Sequence, residues 1–379
     1  MNKKKRLLVV VPSIGIGGRE RIAISTADCL QEQYDTKLVI FQRKDNEYSA
    51  DCEMIHMDYP AQRSVLSKLL IQIKRSMELI RIRNELSIDI VYSLGMTANI
   101  SNALSGLFSK GKTIIAIHGF AEVKRSLINS FVLKHAAKVV CISQEMQYQL
   151  LKLYPDLQNT VVIENGYDLD AMNKDHIAKH LFNEKAPRFV AMGRLNAVKR
   201  YDILLKAFQL VCVHYPGAIL SILGYGEKET DLKRLAAELG ISEQVNFLGY
   251  QESPYKYLKE NDIFLLTSKN EGFPNALIEG LACGLAVVSV DCLSGPREIL
   301  SDQYTPEPVE EIVFEKYGVL VENNKDSQQL IQLISRAVLA LLDDKEKMND
   351  YQRIGIQRAN CFSLDTYCKK ICTLFENLN

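Results

Sequence analysis

Asp262-Ile263-Phe264-Leu265-Leu266-Thr267-Ser268-Lys269-Asn270-Glu271-Gly272-Phe273-Pro274-Asn275-Ala276-Leu277-Ile278-Glu279 opens on a continuous apolar run, the pattern of a strand buried on both faces. Gly272-Phe273-Pro274 marks a turn, Pro274 suits the first turn of a short helix, and Gly284 suits its stop. Ala286-Val287-Val288-Ser289-Val290 is a second buried run, so the unit reads strand, loop, helix, strand, with a crossover long enough for parallel pairing. Glu271 then stands on a loop at the carboxyl end of a strand, and Glu279 on the helix that follows. That edge is where open α/β sheets bind ligands.

The same alternation extends to both sides. Strands are expected over 6–11, 37–41, 88–93, 113–117, 138–142 and 160–164, separated by helical patterns, and again over 188–192, 218–223 and 245–249. This is the signature of doubly wound parallel sheets. The chain has 379 residues, too many for one ordinary core, so two Rossmann-like α/β domains are expected. The first covers 1–168, a polar link runs over 169–187, and the second covers 188–360. A helical tail over 361–379 is expected to pack back on the first domain.

Lys and Arg number 46 against 46 Asp and Glu, so overall charge gives no argument for a nucleic-acid partner. Residues 1–168 nevertheless hold 22 basic and 17 acidic side chains, leaving 24 and 29 for the rest, so the first half faces anions more readily. The nine cysteines are scattered, odd in number and without CxxC spacing, which reads as a reducing cytoplasm and no zinc site. The Lys3-Lys4-Lys5-Arg6 start is followed by too short an apolar run for a signal peptide, and no run approaches the roughly 20 residues of a membrane span.

Candidate binding residues lie at the expected strand ends. Gly15, Gly17 and Gly18 follow the first strand and read either as a phosphate-approaching loop or as a sterically required tight turn. A dinucleotide fingerprint would need glycine where Glu20 stands. His118-Gly119 follows the 113–117 strand, and Arg194 and Lys199 share the loop after 188–192. A guanidinium and an ammonium there suit a diphosphate, with surface salt bridges as the competing reading. The helix expected over 62–86 carries Leu66, Leu70, Ile73, Met77 and Ile80 as an apolar stripe, with Lys68, Lys74, Arg75 and Arg81 on another face. Its six basic residues against two acidic ones fit an anionic lipid or lipid diphosphate, or equally a core helix with a solvated basic face.

Taken together, from residue 6 to residue 361, the chain resembles the retaining glycosyltransferases of family 4, which have the GT-B fold. Glu271 and Glu279, with Gly-Phe-Pro between them, match that family's Glu-x7-Glu signature. Gly193-Arg194-Leu195 with Lys199, Gly224-x-Gly226, Gly17-Gly18, His118-Gly119 and Asn165-Gly166-x-Asp168 fall in the family's order. The resemblance implies a nucleotide-sugar donor held mainly by the second domain and an acceptor held mainly by the first, across a cleft. It assigns Arg194 and Lys199 to the donor diphosphate, Glu279 to the ribose hydroxyls and Glu271 to the transferred sugar. It also lines the sugar and phosphates with Gly272, Phe273, Pro274 and Asn275, places Gly226 near the base, and brings His118 to the sugar from the first domain. No metal or other cofactor is implied.

Ser294-Gly295-Pro296-Arg297-Glu298 resembles a segment of members that use UDP-hexoses or UDP-N-acetylhexosamines. The basic helix resembles the membrane-facing helix of members acting on polyprenyl-diphosphate-linked glycans, with Lys68, Lys74 and Arg75 toward acceptor or membrane. The expectation is a peripheral enzyme at the inner face of the cell membrane, building a surface polysaccharide such as a capsule. Competing readings are another GT-B enzyme, an epimerase or inverting transferase, and a nucleotide-sugar-binding protein without turnover.

Overall fold

The structure, a computed structural model, describes residues 4–15, 18–44, 49–59, 64–169, 172, 182–323 and 325–378. Gly17, the first residues of the helix expected over 62–86, and most of the 169–187 link lie outside them. The chain divides into two compact units, Met1–Tyr167 with Phe362–Asn379, and Asp168–Cys361.

The first unit runs β1 (Arg6–Val11), α1 (Gly18–Leu30), β2 (Asp35–Ile40), β3 (Glu53–His56), α2 (Val65–Glu85), β4 (Ile90–Leu94), α3 (Met96–Gly106), β5 (Lys112–Ile117), α4 (Leu127–Lys134), β6 (Lys138–Cys141), α5 (Gln144–Leu153) and β7 (Thr160–Val162). Its seven strands lie in the order β3-β2-β1-β4-β5-β6-β7, all parallel. The second unit runs β8 (Arg188–Met192), α6 (Tyr201–His214), β9 (Ile219–Leu223), α7 (Glu229–Glu238), β10 (Val245–Gly249), α8 (Tyr255–Lys259), β11 (Ile263–Leu266), α9 (Asn275–Ala282), β12 (Ala286–Val290), α10 (Pro296–Leu300), β13 (Ile312–Phe314), β14 (Val319–Val321), α11 (Ser327–Asp343) and α12 (Lys345–Asn360). Its order is β10-β9-β8-β11-β12-β14-β13, with β13 alone antiparallel to its neighbour. Both units are therefore doubly wound Rossmann-like sheets, the class read from the sequence. Each winds outward in two directions from its first strand, so the loops after β8 and β11 flank a topological switch point.

Buried runs explain the parallel strands. Leu7, Leu8, Val9 and Val10 of β1 and Ile263 and Phe264 of β11 are wholly excluded from solvent. On one face of the first sheet, Leu8, Val10, Val39 and Val91 pack against Leu79 and Ile82 of α2. Each such side chain contributes about 1.5–3 kcal/mol of transfer free energy.

The apolar stripe read along α2 is not the face that packs on the sheet. Leu66, Leu70, Ile73 and Met77 are 67, 52, 46 and 63% exposed, whereas the buried face is Ser76, Leu79, Ile82 and Arg83. Polar contacts select that face. Gln72 Nε2 donates to Ser101 Oγ at 2.7 Å. The Arg83 guanidinium donates to Asn102 Oδ1, Ser105 Oγ and the carbonyls of Lys110 and Gly111. Burial pushes this guanidinium down to about 10.

The last helix, α13 (Leu364–Glu376), belongs to the first unit. Phe375 meets Tyr34 and Tyr92 edge-on at 5.7 and 5.9 Å, and Tyr367 Oη shares a 2.9 Å hydrogen bond with Thr26 Oγ1. Cys29 of α1 and Cys368 of α13 form a disulfide. The partners stand 339 residues apart, beyond anything local spacing can signal. Among the described residues no helix is long and apolar enough to cross a membrane.

Candidate functional site

In the second unit the loop after β8 turns on Asn196, whose Oδ1 accepts from the N–H groups of Val198 and Lys199 at 3.1 and 3.2 Å. The loop is then fastened to the end of β11: Lys269 N–H donates to Val198 O at 2.8 Å, and Thr267 Oγ1 donates to Lys199 O at 2.9 Å. This brings together two residues 72 positions apart, and Lys199 Nζ meets Glu271 Oε1 at 2.5 Å. The side chains of that pair are only 20 and 13% exposed, so water screens it weakly. Arg194 on the same loop is exposed and, among the described residues, has no ion-pair partner.

Glu271 leads into the Gly272-Phe273-Pro274 turn, where Phe273 and Pro274 are buried, and Pro274, which has no capping side chain of its own, precedes α9. The first N–H groups of such a helix, with its dipole, favour an anion. Glu279 is buried on α9, at 5% exposure. The turn is backed by the segment after β12: Ser294 Oγ donates to Gly272 O at 2.6 Å, and Gly295, at φ 92°, lies so close that a Cβ there would stand 2.2 Å from Pro274 Cδ. Arg297 is not presented to a ligand. Its Nε binds both oxygens of buried Asp291 at 3.0 and 3.2 Å, and its Nη1 donates to the carbonyls of Thr305 and Glu307.

Gly226 lies against the Arg194 loop so closely that a Cβ would fall 2.3 Å from Leu195 O. Burial raises the Tyr201 hydroxyl and the Cys292 thiol, with the Glu271 charge as a further cause in both, so neither is an anion at neutral pH. The structure thus gathers Arg194, Lys199, Glu271, Gly272, Phe273, Pro274 and Asn275 at adjoining strand ends. Of its supports, Thr267 carries no chemical signature of its own, and Ser294 and Gly295 entered the sequence reading only as part of the 294–298 segment.

The remaining candidates belong to the first unit. His118 is half-buried after β5, and its backbone N–H donates to Glu122 Oε1 at 3.4 Å, while Glu122 Oε2 accepts from Asn99 Nδ2 at 3.1 Å. Gly18 opens α1. Lys68 and Lys74 are exposed on α2, but Arg75 is half-buried, with its guanidinium 5.0 Å over the Phe41 ring. Among the described residues no three His, Cys, Asp or Glu side chains are placed to hold a metal ion.

Two family profiles cover the chain. One described as "Glycosyltransferase Family 4" matches residues 16–171, and one described as "Glycosyl transferases group 1" matches residues 172–358. The chain is 25% identical to an uncharacterized glycosyltransferase of Methanocaldococcus jannaschii, over 99% of both chains. It is 24% identical to the N-acetylgalactosamine-N,N'-diacetylbacillosaminyl-diphospho-undecaprenol 4-alpha-N-acetylgalactosaminyltransferase of Campylobacter jejuni, over 94% of this chain and 96% of that one. Its fold is similar to that of HepE of Anabaena in complex with UDP, with a TM-score of 0.73 and 18% identity over 98% of this chain and 99% of that one.

Proposed function

Since this chain belongs to the family 4 glycosyltransferases of GT-B fold, we propose that it moves a hexose or N-acetylhexosamine, with retention, from a UDP-linked donor to a polyprenyl-diphosphate-linked glycan acceptor in surface polysaccharide assembly. The observation that carries this reading is the meeting of Lys199 and Glu271 at a topological switch point, with Arg194 exposed beside them and the N-terminus of α9 following. The undecaprenol-linked acceptor named for the Campylobacter relative and the UDP bound by the Anabaena protein support the choice of substrates.

Departure of the leaving group builds negative charge on a diphosphate. Arg194, Lys199 and the first N–H groups of α9 are the groups that meet it, and charge held more tightly in the transition state than in the substrate lowers the barrier. Glu271 accepts from hydroxyls of the transferred sugar, and buried Glu279 from the ribose. Both carboxylates are then hydroxyl acceptors, so the acceptor attacks on the face the diphosphate leaves and passes its proton to the departing phosphate. The diphosphate charge is met by protein cations and amides in this scheme, with no step given to a metal.

The first unit takes the acceptor. The solvent-facing Val65, Leu66, Leu69, Leu70, Ile73 and Met77 of α2, flanked by exposed Lys68 and Lys74, have the composition of a segment lying in an anionic membrane surface. The decisive experiment is a screen of UDP-sugars for nucleotide release with and without lipid-linked glycan acceptors. Glu279→Ala should weaken donor binding and Arg194→Ala should depress turnover; wild-type rates in both would overturn the site assignment. Lys68→Glu with Lys74→Glu should lower cosedimentation with anionic vesicles, and undiminished binding would remove α2 from the membrane contact.

A further inference from the structure

Arg200 follows the donor-side lysine in a conformation that side chains rarely adopt, at φ 51° and ψ 43°. Glycine is relaxed there and any other residue is strained. The arginine side chain occupies the position with a specific set of contacts. Its Nε donates to Thr267 O at 2.9 Å, and its Nη2 donates to Ser268 O at 3.1 Å and to Asn323 Oδ1 at 2.6 Å. Asn323 Nδ2 in turn donates to Lys269 O at 3.3 Å. The guanidinium therefore ties together the loops after β8, β11 and β14. Burial lowers its pKa, and none of these three acceptors is a carboxylate, so the contacts set geometry rather than neutralise charge.

We infer that Arg200 is a positioning residue for Lys199, holding the ammonium at its contact with Glu271 through Thr267, Ser268 and Asn323. The inference rests on the donor-site reading above. Lys199 and its neighbours are anchored to one short segment: Lys269 N–H donates to Val198 O, Thr267 Oγ1 donates to Lys199 O, and the Arg200 guanidinium donates to Thr267 O and Ser268 O. Three residues beyond Ser268 stands Glu271 itself. Arg200 thus fixes the register between cation and carboxylate together with the Thr267 and Lys269 bonds, and a shift of about 1 Å in a transition-state contact costs about 10²-fold in rate.

The test is a double-mutant cycle. Arg200→Gly relieves the backbone strain and removes the guanidinium, so it should keep the thermal midpoint and change UDP affinity less than about 3-fold, while kcat for donor-dependent nucleotide release falls about 10²-fold. Arg200→Lys should restore part of the rate, and Asn323→Ala should reproduce part of the loss. In a Lys199→Ala background Arg200→Gly should have no further effect, because its influence passes through the ammonium. Wild-type kcat in Arg200→Gly, or the full loss persisting on top of Lys199→Ala, overturns the inference while leaving the donor site standing. Wild-type kcat in Lys199→Ala alone overturns the donor-site reading and this inference with it.

Discussion

Gly295→Ala should displace the 272–274 turn without replacing any residue proposed to bind the donor. At φ 92° an alanine is strained by roughly 1–2 kcal/mol. Its Cβ would stand 2.2 Å from Pro274 Cδ, where ordinary contact begins at 3.4 Å, so Pro274 must retreat by the difference, about 1.2 Å. Pro274 is the first residue of the α9 entry and cannot retreat without moving the 272–275 backbone proposed to line the sugar and phosphates. Strain of that size lowers the thermal midpoint of a unit this large by roughly 2–8 °C, and the displacement lowers kcat/KM by about 10²-fold. Ser294→Ala removes only the 2.6 Å hydrogen bond to Gly272 O, worth about 1 kcal/mol, and should lower the rate far less. The assays are thermal unfolding, calorimetric UDP binding and initial rates of nucleotide release. Wild-type kcat/KM in Gly295→Ala would refute the dependence of the turn on the segment behind it.

Three further outcomes are expected. The unfolded, unreduced protein should titrate as seven free thiols and the reduced protein as nine, whereas nine in both would exclude the Cys29–Cys368 bond. Burial pushes the Cys141 thiol from its ordinary 9.0 up to about 12, so its contribution to stability is complete below pH 9 and is lost as pH climbs toward 12. Cys141→Ala should therefore lose less stability across that window than the parent, and parallel curves would refute the assignment. Arg83→Ala strands Asn102 Oδ1 and the carbonyls of Lys110 and Gly111, and should cost on the order of 3 kcal/mol in urea unfolding. An unchanged midpoint would show that water replaces the guanidinium.

The winding of both sheets was legible because strands such as Leu7–Val11 and Ile263–Leu266 are apolar on every residue and their helices punctuate them. The strands at Glu53–His56 and Ile312–Phe314 were not foreseen, being short, edge-placed and only partly buried. Periodicity gave α2 an apolar stripe but not its destination, since whether a neighbour covers Leu66 or Met77 depends on contacts such as Gln72 with Ser101 that no local pattern contains. At the site, the strand-end positions of Glu271 and Lys199 could be read from flanking runs. The contact between them could not, because it depends on bonds between distant segments, Thr267 Oγ1 to Lys199 O and Lys269 N–H to Val198 O, that no local pattern contains. Ser294-Gly295-Pro296-Arg297 stood out as a motif, yet its arginine serves Asp291 and its glycine serves Pro274.

The return of α13 to the first unit makes that unit discontinuous in the chain, while Asp168–Cys361 is one uninterrupted segment. During synthesis at about 5–20 residues per second, roughly 10–40 s separate the emergence of Tyr167 from that of Phe362. Through that interval Tyr34, Tyr92 and the α1 face around Thr26 await Phe375 and Tyr367. The first unit, translated ahead of the second, is thus the last to be completed, and shortening the chain before residue 364 removes support from the half of the protein farthest from the cut in sequence.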